Sequence, residues 1–445
     1  MNSKALTKIQ SAVLIAVIAI GSVGAGVAFV LWGRTAQSTE DIKIGICADL
    51  DNTIGKAVWR AAVLAAEQVN AEGGVLGRNF TIVAEDDDDE AATVDLQVAS
   101  NAMTKLITVD MADYVISAAI GPGPVFAHQD ICAEHKMIVF GVRGALENFT
   151  QRVLDNYDRY KYYFKLWSSN STSVAAGTVE GTVALCNLTG FTKVAFLGIE
   201  STSSNQISAL MNSSLPKHGL NLVYNGRFLP TTTDFTSYFT AIEASGAEIL
   251  VPLITNQAGY SFAKEWHDRE SPFIVSGSIT LGLDSNYWNL TEGKCEYISC
   301  AGVPATVGYP LTNKTLPTRE AYLQRWGTII PTAPAIAAYD GIRFILPDAI
   351  KRAGTTETEA VIKTLETTDV ETTMARHFIF TSSHDIFIGT AGINKVEEDY
   401  ILVCLFQWQA NGTLAILDPP TLMRESGATY QYPPWQGPWS NKQTP

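Results

Sequence analysis

The sequence predicts an α/β fold of two Rossmann-like lobes with parallel sheets, preceded by a transmembrane helix. Three observations predict it. Short apolar runs of strand length alternate with amphipathic stretches of helix length, the pattern of βαβ units. That alternation runs through once, breaks, and starts again, so two lobes are expected. Near the start, the stretch from Ser11 to Trp32 carries no charge and is long enough to span a bilayer.

The elements follow in order. Lys4 and Lys8 precede the apolar stretch and should stay inside, leaving everything after Arg34 outside. Its length favours an uncleaved or pilin-processed anchor over a removed signal peptide, whose core is about 7–15 residues. No Cys closes the run, so it offers no lipoprotein attachment point, and the prefix "KALT" resembles the archaeal pilin-type (class III) processing site. Residues 1–33 are therefore read as the anchor and 34–40 as a polar linker.

"DIKIGIC" is the first strand, and Val58, Ala61, Ala62, Ala65 and Val69 at helical spacing make the next segment a helix, stopped by the glycines of "AEGGVLGRN". "FTIVAE" and "YVISAA" are strands around a second helix, and "VFAHQDICAEH" with "KMIVFG" completes another helix–strand pair. The second alternation has strands in "KVAFLG", "LNLVYNGRF", "EILVPLI" and "FIVSGS". A long helix, "APAIAAYDGIRFILPDAIKRAG", comes late, then a strand hairpin of "HFIFTSSHDIFIG" with "YILVCLFQWQANGTLAIL", then a Pro- and aromatic-rich tail expected to be extended.

With 445 residues, 46% hydrophobic, the chain can bury a large core. A formal net charge of −14 without a basic block excludes nucleic acid as a partner. Sequons begin at Asn79, Asn148, Asn170, Asn187, Asn212, Asn289, Asn313 and Asn411, more than composition requires, and suggest a glycosylated, exported surface. Cys295 and Cys300 in "CEYISC" lie close enough for a disulfide, as an oxidising compartment permits. Cys47, Cys132, Cys186 and Cys404 fall in apolar segments and are expected to pack as small hydrophobes, at spacings unlike zinc ligation. No catalytic motif, P-loop or metal motif is present, and the run Asp86–Glu90 lacks the alternation and glycine turn of a calcium loop. Neither an enzyme nor a cofactor is expected.

"AAEQVNAEGGVLGRNFTIVAEDDDDEA" closely resembles the first helix–turn–strand of type I periplasmic binding proteins, in the branch serving branched-chain amino acid, amide and urea ABC transporters. "AAYDGIRFILPDAIKRAG" resembles that branch's late Tyr-Asp helix and "HFIFTSSHDIFIG" its last hinge-crossing segment. The resemblance covers about Asp41 to Leu417 and, with the leader, suggests an archaeal source. It implies two lobes joined by a three-crossing hinge: residues 41–165 plus 306–378, and 166–305 plus 379–418, with 419–445 as tail. It also implies a small-molecule ligand clamped between the lobes and delivered to an ABC transporter permease. The alternative is a ligand-sensing or structural surface protein on the same scaffold, assembled through a pilin-like N-terminus.

Carried over by position, the site departs from amino-acid receptors of that branch. Where they offer Ser/Thr hydroxyls to an α-carboxylate, this chain has Gly121, Pro122, Gly123 and Pro124, leaving the amides of Gly123 and Val125. Arg143, Gly144 and Ala145 form the next loop, and Arg143 adds a fork suited to carboxylate or phosphate. The second lobe, which usually supplies a carboxylate for the α-ammonium, shows Ser276, Ser278 and Thr280. Asp49, Asp51, Asn52, Ser204, Asn205, Thr255, Asn256, Gln257 and Tyr339 complete the candidate lining, with Trp167 beside the first hinge. A small polar or anionic organic ligand is expected rather than an ordinary α-amino acid, whose charges would lie unpaired.

Overall fold

The computed structural model describes residues 40–88, 95–144, 146–167, 171–284, 286–302, 309–388, 399–401, 404–418, 427–435 and 437–440. The expected anchor and its pilin-like leader lie outside them. Among the described residues, no helix is long and apolar enough to cross a membrane.

The first alternation reads β1 (Ile42–Cys47), α1 (Thr53–Ala71), β2 (Phe80–Glu85), α2 (Leu96–Thr108), β3 (Tyr114–Ser117), α3 (Pro122–His135), β4 (Val139–Gly141), α4 (Asn148–Asp155), α5 (Tyr157–Tyr160) and β5 (Tyr163–Lys165). Its five strands are all parallel, in the order β2-β1-β3-β4-β5. Helices cover both faces of such a sheet, which is why β3 is buried along its whole length and its sequence is nearly all apolar. α1 starts where the Asn52 side chain accepts the Ile54 amide, and it buries Val58, Ala61, Ala62, Ala65 and Val69.

The second alternation follows as α6 (Ser171–Thr189), β6 (Lys193–Ile199), α7 (Thr202–Ser214), β7 (Asn221–Phe228), α8 (Thr236–Ala244), β8 (Ile249–Ile254), α9 (Ala258–Asp268), β9 (Ile274–Ile279), α10 (Tyr287–Leu290) and β10 (Ser299–Gly302). The chain then returns to the first lobe with α11 (Thr315–Trp326), α12 (Ala333–Asp340), α13 (Leu346–Ala353) and α14 (Thr358–Leu365). Gly341–Ile345 joins α12 to α13 as a π-helical turn. The wide turn lies just ahead of Pro347, which has no amide for the carbonyl four residues back. Two short strands, β11 (Asp369–Val370) and β12 (Phe378–Ile379), pair antiparallel. β13 (Cys404–Trp408) and β14 (Leu414–Asp418) then extend the second sheet, whose order is β14-β13-β10-β9-β8-β6-β7. The late hairpin therefore forms within "YILVCLFQWQANGTLAIL", β13 against β14, and not between that segment and "HFIFTSSHDIFIG".

One core cluster joins β1, β3, α1, α12, α13 and α14, and it also takes in Phe380, Ile386 and Ile401. The next described strand of the second sheet after this segment is β13. The segment before it is anchored at β5. The Lys165 amide donates to the His384 carbonyl at 2.9 Å, and the His384 ring stacks on Phe164 at 4.0 Å. Lys165 Nζ lies 3.7 Å from Asp385 Oδ1, with both side chains buried. That is an ion-pair distance outside hydrogen-bonding range, and burial lowers the lysine pKa.

The tail is not a loose extension. Tyr430 and Trp439 are buried in the second lobe, and the Trp435 indole donates to the Ser271 carbonyl at 3.0 Å. The fully buried Gln407 of β13 donates to the Gln431 carbonyl at 2.8 Å and accepts the Gln431 amide at 2.8 Å.

The expected Cys295–Cys300 disulfide does not form: both are free, buried thiols. Cys300 is fixed in β10, and its Sγ would lie 2.5 Å from a Cβ on Gly282, so it fills a slot that only glycine leaves open. Both thiols serve the second lobe as apolar core. Asn79, Asn148, Asn187, Asn212, Asn289, Asn313 and Asn411 are exposed, and Asn170 lies outside the described residues.

Asp340 gives the fold a pH signature. It is fully buried, and it accepts the Thr373 hydroxyl at 2.7 Å and the Thr373 amide at 3.1 Å, tying α12 to the segment before β12. Burial pushes its pKa up to about 7 despite those donors and Lys314. The folded chain therefore holds a proton that the unfolded chain releases, between about 3.8 and about 7. Across that window its contribution to stability falls as pH rises, by up to about 1.4 kcal/mol per pH unit. Asp340→Asn should remove this slope in denaturant titrations at pH 5 and pH 7; an unchanged difference between the two pH values would refute the assignment.

Candidate functional site

The first sheet and the parallel part of the second share one strand order. In the first lobe the chain runs outward from β1 to β2 on one side and from β3 to β4 and β5 on the other; in the second, β7-β6-β8-β9-β10 repeats that order. Loops leaving the carboxyl ends on the two sides of such a switch point diverge and open a crevice, the usual ligand position in open α/β sheets. The switch points lie between β1 and β3 and between β6 and β8. Most of the residues expected to line a ligand site sit on the loops around them.

In the first lobe, Asp49 Oδ1 accepts the amides of Asp51 and Asn52, each at 3.1 Å, and Asn52 Oδ1 accepts the Ile54 amide at 2.6 Å. Asn52 is thus spent on capping α1, while Asp51 is exposed. "GPGP" is not a loop. Gly121 is the N-cap and Pro122 the first residue of α3, a position proline suits because no partner is needed there for its missing amide. The Val125 amide, expected to face a ligand, instead donates to the Gly121 carbonyl at 3.1 Å. With Pro122 and Pro124 lacking amides, Gly123 carries the one remaining first-turn donor. Its φ is not positive, and a Cβ there would meet only Leu96 Cδ1 at 3.6 Å. The fold does not require glycine at this position.

After β4, Arg143 is buried. Gly144 has φ +81°, and a Cβ there would come within 2.7 Å of the Phe149 ring, so this turn does require glycine. Ala145 lies outside the described residues.

In the second lobe several polar groups are consumed internally. Ser204 is buried; its hydroxyl donates to the Ile199 carbonyl and its amide to Ser201 Oγ at 3.2 Å. Asn205 Oδ1 accepts from Arg227 Nε at 3.1 Å. Asn256 donates to the Pro230 carbonyl at 2.8 Å and accepts the Ala258 amide at 3.2 Å. Thr255, Gln257 and Thr280 are exposed, Ser278 is half-buried and Ser276 is buried. Glu200, directly after β6, is an exposed carboxylate at the switch point that sequence reasoning passed over.

Tyr339 belongs elsewhere. Buried in the first core, it donates its hydroxyl to Gln68 near the carboxyl end of α1. It lines a surface groove of about 430 Å³ with Lys314, Arg343 and Phe344. α1 starts beside the carboxyl end of β1, so its far end, and this groove, lie at the opposite edge of the sheet. Trp167 is half-buried against the first core.

The sequence profile of the family described as periplasmic binding protein matches residues 41–398. The chain belongs to that family. Curated relatives include "Leu/Ile/Val-binding protein homolog 7" of Brucella melitensis, 20% identical over 77% of this chain and 84% of the relative. Another is "Amino acid binding protein" of Pseudomonas aeruginosa, 22% identical over 77% of this chain and 87% of the relative. Among solved structures, a branched-chain amino acid transporter substrate-binding protein of Streptococcus pneumoniae with isoleucine superposes with TM-score 0.67 at 16% identity, covering 85% of this chain and all (100%) of that one. A solute-binding protein of R. palustris in complex with benzoate gives TM-score 0.65 at 13% identity, covering 85% and 95%. At such identities the structures show a shared fold, that of a type I periplasmic binding protein. The relatives named here are bacterial and lend nothing to an archaeal source. This periplasmic binding protein is a solute-binding protein in class and not an enzyme.

The fold also brings together groups that sequence spacing did not show. Lys165 pairs with Asp385 across 220 positions, signalled only by a charge inside the apolar "YYFKLW". Cys47, Asp87 and His128 converge at the carboxyl end of β1.

Proposed function

We propose that this periplasmic binding protein, held at the cell surface by its N-terminal segment, captures a small carboxylate or similar anionic molecule between its two lobes and delivers it to an ABC importer. The observation that carries the reading is a glycine the fold does not need, Gly123. It stands on a helix start stripped of competing donors, in the same row of loops as the buried Arg143. A helix start favours an anion, and a missing side chain lets it approach the backbone. The proline-fixed turn loses little entropy on binding. Binding to both lobes then shifts the population from open to closed.

The benzoate held by the R. palustris relative has a carboxylate and no ammonium, in keeping with this reading. One observation favours a second reading, an α-amino acid like the isoleucine of the S. pneumoniae relative: Glu200 offers the second lobe a carboxylate for an ammonium group.

Thermal melting of the body from Arg34 onward, against carboxylates, amides, urea, amino acids and nucleosides, separates the two. A ligand at about 100 times its Kd adds roughly 2.7 kcal/mol. A shift from a simple carboxylate, lost in Gly123→Ala while the unliganded Tm is kept or raised, supports the proposal. Shifts from α-amino acids alone, abolished by Glu200→Gln, would replace it with the second reading. No shift at all would sink both and leave the sensing or structural alternative.

A further inference from the structure

The carboxyl end of β1 holds a cluster that ligand binding does not use. Cys47 is the last residue of β1, Asp87 follows β2, and His128 lies in the second turn of α3. All three are buried, and one potential ligand atom from each lies within 4.8 Å of the other two. Cys47 Sγ and His128 Nε2 are 3.8 Å apart. Two such atoms bound to one tetrahedral zinc at ~2.3 Å and ~2.05 Å would sit about 3.5–3.8 Å apart. The pair is spaced as though sharing an ion.

We propose that Cys47, Asp87 and His128 bind one zinc-class divalent cation, through Sγ, a carboxylate oxygen and Nε2. The donor set is one sulfur, one nitrogen and one oxygen, which suits zinc and not the all-oxygen shells of calcium or magnesium. The charges also balance. A thiolate and a carboxylate neutralise a divalent ion, so a net-neutral complex is buried.

The surroundings fit. His128 Nδ1 lies 2.9 Å from Ser117 Oγ, and Nε2 lies 3.1 Å from the Ala99 carbonyl oxygen. With an ion on Nε2, the Nδ1–H donates to Ser117 Oγ, the kind of second partner that fixes a metal-bound imidazole. The Ala99 oxygen then stands beside the ion as a candidate fourth ligand. On binding, the Cys47 thiol gives its proton to solvent and the sulfur lone pair forms the metal bond. The ion would knit β1, the loop after β2 and α3 together. Its donors, Cys47, Asp87 and His128, are not among the residues assigned to the solute, so the two proposals are tested separately.

The test uses the exported body from Arg34 onward, stripped with chelator, then given Zn²⁺ alone or Co²⁺ alone. It is loaded both folded and during refolding from denaturant, so that a closed native state does not hide the site. Expected are retention of about one ion per chain after desalting, a raised Tm, and a thiolate-to-cobalt charge-transfer band with tetrahedral visible bands. Cys47→Ala and Cys47→Ser should each abolish that band, and His128→Gln should weaken retention by at least about tenfold. Metal-free melts of the variants establish that each folds. No band under either loading, or retention unchanged in the Cys47 and His128 variants, would overturn the site.

Discussion

Asp385→Ala is expected to lose about 3–5 kcal/mol of stability, because it leaves the Lys165 ammonium buried with its counter-charge removed. The pair sits where β5 ends and where the returning segment docks, so the loss should appear as a large drop in denaturation midpoint with the m-value kept. The Thr150 hydroxyl, 3.3 Å from Asp385 Oδ2, loses one of its two acceptors and keeps the Glu147 carbonyl. Replacing both charges, in Lys165→Met with Asp385→Leu, should recover most of the stability, since an apolar pair needs no desolvation. A double-mutant cycle in urea measures the coupling. A loss below about 1 kcal/mol in Asp385→Ala would mean that the lysine is neutral or reaches water in the folded chain.

Arg143→Ala should leave the melting transition cooperative but weaken binding of an anionic solute by about 2–4 kcal/mol, roughly 30- to 1,000-fold in Kd. Removing a buried guanidinium that meets a carboxylate takes away two parallel donors and strands the ligand charge. Arg143→Lys should restore only part of the affinity, because an ammonium is a point charge and cannot copy the fork. Calorimetric titration with the best ligand from the thermal panel decides this. Equal Kd values for wild type and Arg143→Ala would remove Arg143 from the site and leave the Gly123 turn to carry the proposal alone.

The alternation of strands and helices was legible because strands buried on both faces must be apolar and their crossover helices must be amphipathic. "FTIVAE" matches β2 residue for residue. Pro and Gly usually punctuate chains and give the start of α3 the look of a loop in the sequence, whereas in the fold the first-turn preference of proline prevails. The candidate site was legible as a set of loops but less so as a set of contacts. Asn52, Ser204 and Asn256 have short polar side chains that serve helix caps as readily as ligands, and the backbone claims them first. Cys47, Asp87 and His128 stand about forty residues apart in sequence, so only the sheet order that places β1 between β2 and β3 brings them together.

The tail has a consequence for synthesis. The second lobe has its β6–β10 framework once residue 302 has emerged from the ribosome, yet it lacks β13, β14 and the Trp439 and Tyr430 rings that close its core. Until then the buried face prepared for Gln407 and the tail is open to water. The first lobe likewise waits for α11 to α14, which come after the whole of β6 to β10. Domains usually fold as units in the order in which they are made. Here the first lobe cannot close before Ile401 has been made, and the second waits for Tyr430 and Trp439. Such a chain remains threadable for most of its synthesis, a property that suits the cell-surface placement proposed for it.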